Sequence, residues 1–560
     1  VAESLTNLVW APLKDSLQSV SLSANWMWPC RNKGEDARLY EAVKSLSDFV
    51  IELGINVPTG KDSLSMKQKY KDGEVLSPGT VIISAAAHCD DITKIVEPVL
   101  QKEGGDIYYI NLSKDTHKLG GSSFAQILNG IGDEAPSVLD ATDGKNVFKT
   151  LQKLIKDGQI LAGHDIGSGG LITTLLEMCF ADNNLNAELD LSGIGESDII
   201  KLLFSENIGV VLQSKDSSIE KVLAESGIAF NKIGSVSTGN ILHIKNNGVE
   251  IGLNIESLRD TWFKTSYLLD NKQTANGLAK DRYDHYKEQP LMYAFPENFT
   301  GALPKVPSKN KPKAAILREK GSNSEREMAN AMYLAGFDVK DVHMTDLITG
   351  RETLEDIQFI GAVGGFSNSD VLGSAKGWAG AFKYNEKANK ALKDFFARPD
   401  TLSVGICNGC QLFMELDLIN PEHETHGRMT YNDSHKHESN FTSVKIQENH
   451  SVMLSNMAGT TLGVWISHGE GKFSLPHTED QYHIVAKYGY EGYPANPNGS
   501  DYNTAMLCDK TGRHLVTMPH IERSTFPWNW AHYPKDRQDV VSPWLQAFVN
   551  AREWLESLDE

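Results

Sequence analysis

The chain has 560 residues, 40% of them hydrophobic and 23% charged, with a formal net charge of −19 at neutral pH. That length exceeds one domain, and the composition is that of a globular protein with real cores. The acid excess excludes nucleic acid or an anionic membrane as the main partner, yet permits a small phosphorylated ligand held by a local nest of N–H groups. Six irregularly spaced cysteines make no disulfide framework and fit a reducing, cytoplasmic setting. No apolar run approaches the roughly 18 residues of a membrane span. The start, Val1-Ala2-Glu3-Ser4, reads as a cut inside a longer polypeptide.

In chain order, Glu3 and Asn7 share one face of a helix-compatible segment. Leu39, Val43, Leu46 and Val50 predict an amphipathic helix ending at Gly54. A polar loop, Pro58 to Met66, follows and contains Lys61 and Asp62. Its spacing is not that of a Walker A motif. Val81 to Ala87 predicts a buried strand. Asp106 to Leu112 predicts another, and Gly120-Gly121-Ser122 then opens a helix, a geometry suited to an anion. Asp165, before a glycine-rich loop, offers a carboxylate suited to Mg2+, and Glu3 and Asn7 could add two hard oxygens. Residues 261–312, rich in proline and lysine toward their end, read as a connector between units at 1–108 and 109–260 and a final unit at 313–560.

From Ala314 the pattern alternates strand and helix, which predicts α/β architecture with a mostly parallel sheet. Ser324 to Glu327 predicts a capping box. Leu402 to Ile406 leads into Cys407, with Gly405 and Gly409 on either side, the layout of a nucleophile elbow. A thiol at such a helix start is favoured as thiolate. His520 and Glu522, two apart, would project to one side of an extended segment and polarise the thiol. Gly364 and Gly365, after a strand, offer oxyanion donors. Alternatives for the Cys407–Cys410 pair are redox, zinc or structural roles, although no second cysteine pair completes a zinc set.

Several stretches together resemble the large, single-chain phosphoribosylformylglycinamidine synthases. They include Leu22 to Met27, Gly34 to Ala37, Pro58 to Met66, Gly364 to Ser367, Asp370 to Gly373, Gly405 to Gln411, Ser467 to Gly471, Tyr493 to Ser500 and Pro519 to Arg523. The resemblance implies the second half of a duplicated, ATP-dependent synthetase module followed by a class I glutaminase. It implies Cys407, His520 and Glu522 as the triad, glutamine as ammonia source, and formylglycinamide ribonucleotide and ATP as the other substrates. It also implies a structural ADP with Mg2+ on Glu3, Asn7 and Asp165, phosphate contacts near Lys61, Asp62 and Gly120 to Ser122, and an upstream half of the same polypeptide. Relatives often carry Tyr-Gly where this chain has Asn368-Ser369. The competing readings are a stand-alone triad hydrolase and a non-catalytic nucleotide-binding scaffold.

Overall fold

A computed structural model describes residues 1–102, 104–181, 184–288, 291–306 and 310–558. The chain divides into two compact units, Val1–Phe263 and Lys264–Glu560. Among the described residues no helix is long and apolar enough to cross a membrane.

The first unit contains a three-stranded and a seven-stranded sheet. The strand Asp106–Asn111 shows why the larger sheet is a core. Tyr108 and Ile110 join one apolar cluster with the helix residues Val147, Leu151 and Leu154, while Ile107 and Tyr109 join a second cluster with Leu171 and Leu175. Side chains alternate across a strand, so this one is covered on both faces. The helix Ala141–Lys156 begins where the Asp140 side chain accepts a hydrogen bond from the Asp143 amide.

Three expectations change in this unit and just beyond it. The stretch from Pro58 is not a loop at its start. The strand Asn56–Ser63 runs parallel to Ser21–Met27, with Lys61 opposite Asn25 and Asp62 opposite Trp26. Gly60 permits this, because a Cβ there would lie 2.2 Å from the Ala24 carbonyl oxygen. The strand Thr80–Ala86 forms as expected but is not buried, with Val81 38% and Ile82 52% exposed. The expected connector carries the helices Ile255–Gln273 and Leu278–His285. Its composition is linker-like only toward the end, where Pro307, Ser308 and Lys309 lie outside the described residues.

The second unit is built on a nine-stranded sheet. In sheet order its strands are Asp338–His343, Lys313–Arg318, Phe359–Ala362, Leu402–Ile406, His514–Thr517, Thr504–Cys508, His483–Tyr488, Glu438–Ile446 and Thr461–His468. The first five pair in parallel and the rest antiparallel, so the sheet is mixed rather than mostly parallel. Trp378, Phe382, Phe395, Phe413, Trp544 and Phe548 sit in its core. The expected capping box at Ser324 does not form. Ser324 has a φ of 71°, which turns its hydroxyl away from the helix Glu325–Ala335, and no side-chain cap bond is made.

Candidate active site

The strand Leu402–Ile406 is buried throughout and lies between Phe359–Ala362 and His514–Thr517. All three run in parallel, so their C-terminal ends share one sheet edge. Cys407 follows the central strand, Gly364 follows one neighbour and His520 follows the other. Three segments far apart in the chain are thereby delivered to one place, as expected of open parallel sheets.

Cys407 has φ 53° and ψ −104°, a conformation that non-glycine residues avoid, and it precedes the helix Asn408–Glu415. Its amide donates to the Thr517 carbonyl at 2.8 Å, and its carbonyl accepts from the Gln411 amide at 3.0 Å. The flanking glycines are required by close approach. A Cβ on Gly405 would lie 2.6 Å from the Gly409 carbonyl oxygen, and one on Gly409 would lie 2.1 Å from that of Ala362. The Cys407 Sγ lies 3.7 Å from the Ser467 carbonyl oxygen, and the residue is 5% exposed.

His520 and Glu522 are buried, with Nδ1 and Oε1 2.7 Å apart. The segment is not extended as expected; Ile521–Arg523 form a 3-10 turn that brings the two side chains together. Burial opposes charge on His520, but Glu522 and the contact with Cys407 outweigh it and raise the imidazole pKa. Glu522 in turn is lowered, because His520 outweighs the cost of its burial. Replacing Glu522 by Gln removes the charge that holds the proton on His520. Its ring should then titrate at lower pH by more than about one unit. Imidazole NMR measures this, and an unchanged titration would show that Glu522 does not govern the ring.

Gly364 sits against both partners: a Cβ there would lie 2.9 Å from His520 Cε1 and 3.5 Å from Cys407 Cβ. Its amide is not unobstructed as expected, since it points at Ser324 Oγ at 3.4 Å. Gly365 has φ 116°, and its amide has no acceptor among the described residues. The first-turn amide of Asn408 is likewise without one and offers a second donor that the sequence reading missed. The Asn408 side chain ties the elbow to the glycine loop by accepting from the Ser367 amide at 3.3 Å.

The residues expected to bind metal and phosphate lie in the first unit. Asn7 Nδ2 donates to Asp165 Oδ2 at 2.9 Å, and Glu3 Oε1 lies 3.9 Å from where a Gly167 Cβ would be. Two carboxylates and an amide thus share one neighbourhood. These hard oxygens fit Mg2+ if the Asn7 amide turns its oxygen inward. Sequence reading missed the support behind them: His164 Nε2 lies 3.0 Å from Glu177 Oε2, and Trp262 Nε1 donates to Glu177 Oε1 at 2.9 Å.

The phosphate cradle does not fit in the same way. The amides of Gly120 and Gly121 donate to the carbonyls of Glu134 and Ile131 at 2.8 and 2.6 Å. The Glu206 carboxylate accepts from the Ser123 and Gly169 amides at 2.7 and 2.8 Å, filling the place of an anion. Ser122 caps its helix by accepting from the Ala125 amide. Lys61 and Asp62 are exposed on their strand, Lys61 bonded to Ser63 Oγ at 2.5 Å, and no hydrogen bond or ion pair links them to Gly120–Ser122 among the described residues. An ADP phosphate at this turn would have to displace existing bonds.

Comparison with known proteins gives three matches along the chain. Residues 1–88 match the FGAR-AT PurM_N-like domain, residues 102–245 the AIR synthase related protein, C-terminal domain, and residues 311–555 the CobB/CobQ-like glutamine amidotransferase domain. An Arabidopsis thaliana protein named probable phosphoribosylformylglycinamidine synthase, chloroplastic/mitochondrial, is 40% identical over 593 residues, covering 100% of this chain and 41% of its own length. The Homo sapiens phosphoribosylformylglycinamidine synthase is 38% identical over 592 residues, covering 99% of this chain and 44% of its own. The chain thus spans less than half the length of these curated relatives. A solved Thermotoga maritima PurL complexed with ATP aligns with 46% of this chain and 40% of its own at 13% identity and a TM-score of 0.35, too remote to carry ligand or mechanism. With three domain matches and 38% to 40% identity along essentially its whole length, this chain is similar to a part of the phosphoribosylformylglycinamidine synthases.

Proposed function

We propose that the second unit is a glutaminase that supplies ammonia to an ATP-dependent ligase of purine biosynthesis. In the whole reaction formylglycinamide ribonucleotide, ATP and glutamine become formylglycinamidine ribonucleotide, ADP, phosphate and glutamate. The observation that carries this reading is the buried His520–Glu522 pair, 2.7 Å apart, whose His520 lines one cavity with Cys407. The resemblance to phosphoribosylformylglycinamidine synthases and the match to a glutamine amidotransferase domain support the rest.

The Cys407 thiol gives its proton to His520 and attacks the side-chain amide carbon of glutamine. The amide oxygen becomes an oxyanion, for which the amides of Gly365 and Asn408, with Gly364 beside them, are placed as donors. His520 passes the proton to the departing nitrogen, ammonia leaves, and a thioester remains on Cys407. Water then attacks the thioester as His520 takes its proton, and glutamate and the thiol are restored. Glu522 keeps the imidazole in orientation and stabilises its charged form.

Ammonia would displace phosphate from the substrate's activated amide in the ligase site, to which the rest of the longer polypeptide contributes. Mg2+, held by Glu3, Asn7 and Asp165, would neutralise the phosphates of a structural ADP rather than of the reacting ATP. No step is assigned to an ADP at the Gly120–Ser122 turn. We propose the cytoplasm as the location; none of the six cysteines is paired.

The reading is tested on the full-length polypeptide by stoichiometry. Glutamate release, ADP and amidine product should appear in equal amounts. Steady glutamine hydrolysis with no product that depends on ATP and the ribonucleotide would instead mean a stand-alone hydrolase.

A further inference from the structure

We infer that Asp370 holds the α-ammonium group of the amino-acid substrate and so selects free glutamine over amides without that charge. The inference rests on the glutaminase reading and adds a specificity residue to its site.

One small cavity is lined at its reactive end by Cys407, Gln411 and His520, and elsewhere by Asp370, Ser374 and Arg523. Among the described lining residues Asp370 is the one carboxylate and Arg523 the one guanidinium. A free amino acid carries one charge of each sign on its head, and the wall offers the complement of both. Arg523 is fixed by donating to Asn323 Oδ1 at 2.7 Å.

Among the described residues no cation pairs with Asp370. Its Oδ2 accepts from Ser374 Oγ at 3.1 Å, while its Oδ1 is shielded from water without a hydrogen-bond partner. A second carboxylate stands behind it: Glu470 Oε2 accepts from the Ser374 amide at 3.2 Å. No ion pair neutralises either acid among the described residues. Burial first, and then the charge of Glu470, push the Asp370 carboxyl above its ordinary pKa. A bound ammonium would relieve both effects.

The neighbouring His468 offers no negative charge to pair with an ammonium. It is 2% exposed, lines the same cavity, and neither ring nitrogen has a partner. Burial, with His520 and His437 nearby, pushes its pKa down to about 3, so it is neutral. The loop that presents Asp370 is itself strained, with Asn368, Ser369 and Asp370 at φ 53°, 57° and 50°.

The test labels Cys407 in the full-length polypeptide with two electrophiles, read by mass spectrometry. 6-Diazo-5-oxo-L-norleucine carries an amino-acid head; iodoacetamide does not. In Asp370→Asn the diazoketone should react roughly 10- to 100-fold more slowly, the loss of one charge-assisted contact, while iodoacetamide labelling is retained. An equal loss with both reagents, or a loss with neither, overturns the inference. A second measurement needs no variant: the wild type should hydrolyse glutaramate, which lacks the amino group, with kcat/KM lower by a similar factor. Equal kcat/KM for both amides overturns the ammonium site. If glutamine does not protect wild-type Cys407 from the diazoketone, the glutaminase reading falls and takes this inference with it.

Discussion

Glutamine-dependent product formation should vanish in Cys407→Ala, while product formation from added ammonium survives. In the proposed mechanism the thiol forms the thioester, and neither neighbour is placed to replace it. The Ser467 hydroxyl is engaged with His437 Nε2 at 3.0 Å, and Cys410 is fully buried, its thiol pKa raised by that burial and by Cys407. Loss of a covalent nucleophile that acts as one unit with its base removes almost all of the chemical step. A fall of about 10⁴-fold or more in glutamate release is expected, which is about 5.5 kcal/mol of transition-state stabilisation. The proposed ligase chemistry needs ammonia from any source, so ammonium salts at high pH should restore product in the same variant. Retention of full glutamine-dependent activity would remove Cys407 from the mechanism. Loss of both activities would mean that the substitution damages more than the glutaminase.

The second large effect is on stability. Gly409 is a helical position, where alanine would ordinarily gain about 1 kcal/mol of helix propensity. Here the added Cβ would meet Ala362 at 2.1 Å from its carbonyl oxygen and 2.5 Å from its carbonyl carbon. Both atoms are backbone of the adjacent buried strand, so no flexible side chain can move aside. Relief requires shifting the helix Asn408–Glu415 from the strand Phe359–Ala362, and the clash outweighs the propensity gain. Gly409→Ala should therefore lose about 3 kcal/mol or more, measured by urea denaturation, and glutamate release should fall as the elbow moves. Gly73→Ala is the control: a Cβ there has nothing within 4 Å, and a change within about 0.5 kcal/mol is expected. Equal stability of the two variants would show that the helix and strand are not held this closely.

Elements with strong local signals were legible before any coordinates. Gly405 and Gly409 around Cys407 announced a tight strand-to-helix turn, and the strand lies where its apolar pattern placed it, with a helix following the cysteine. The strand Asp106–Asn111 was equally plain. What failed depended on partners. The stretch from Pro58 looks like a loop because it is polar and contains glycine, yet pairing with Ser21–Met27 makes most of it a strand. Val81 and Ile82 look buried because they are apolar, but a three-stranded sheet need not cover both faces. Ser324 has the letters of a capping box, but its left-handed backbone aims the hydroxyl at Gly364 instead.

The sequence by itself determined which residues could do chemistry: a thiol between glycines, a histidine two residues from a glutamate, and glycines after a strand. It also determined the local conformations that put the thiol on a tight turn, because those follow from nearest neighbours and steric exclusion. Only the tertiary structure decided that these pieces meet. Cys407 and His520 are joined by the parallel pairing of Leu402–Ile406 with His514–Thr517, a contact between strands more than a hundred residues apart. Tertiary contacts also decided that the amides of Gly120 and Gly121 are already occupied, and that Asp370 and Cys407 line one cavity. Hydrogen-bond partners across a fold are set by which strands lie side by side, and no local pattern encodes that choice.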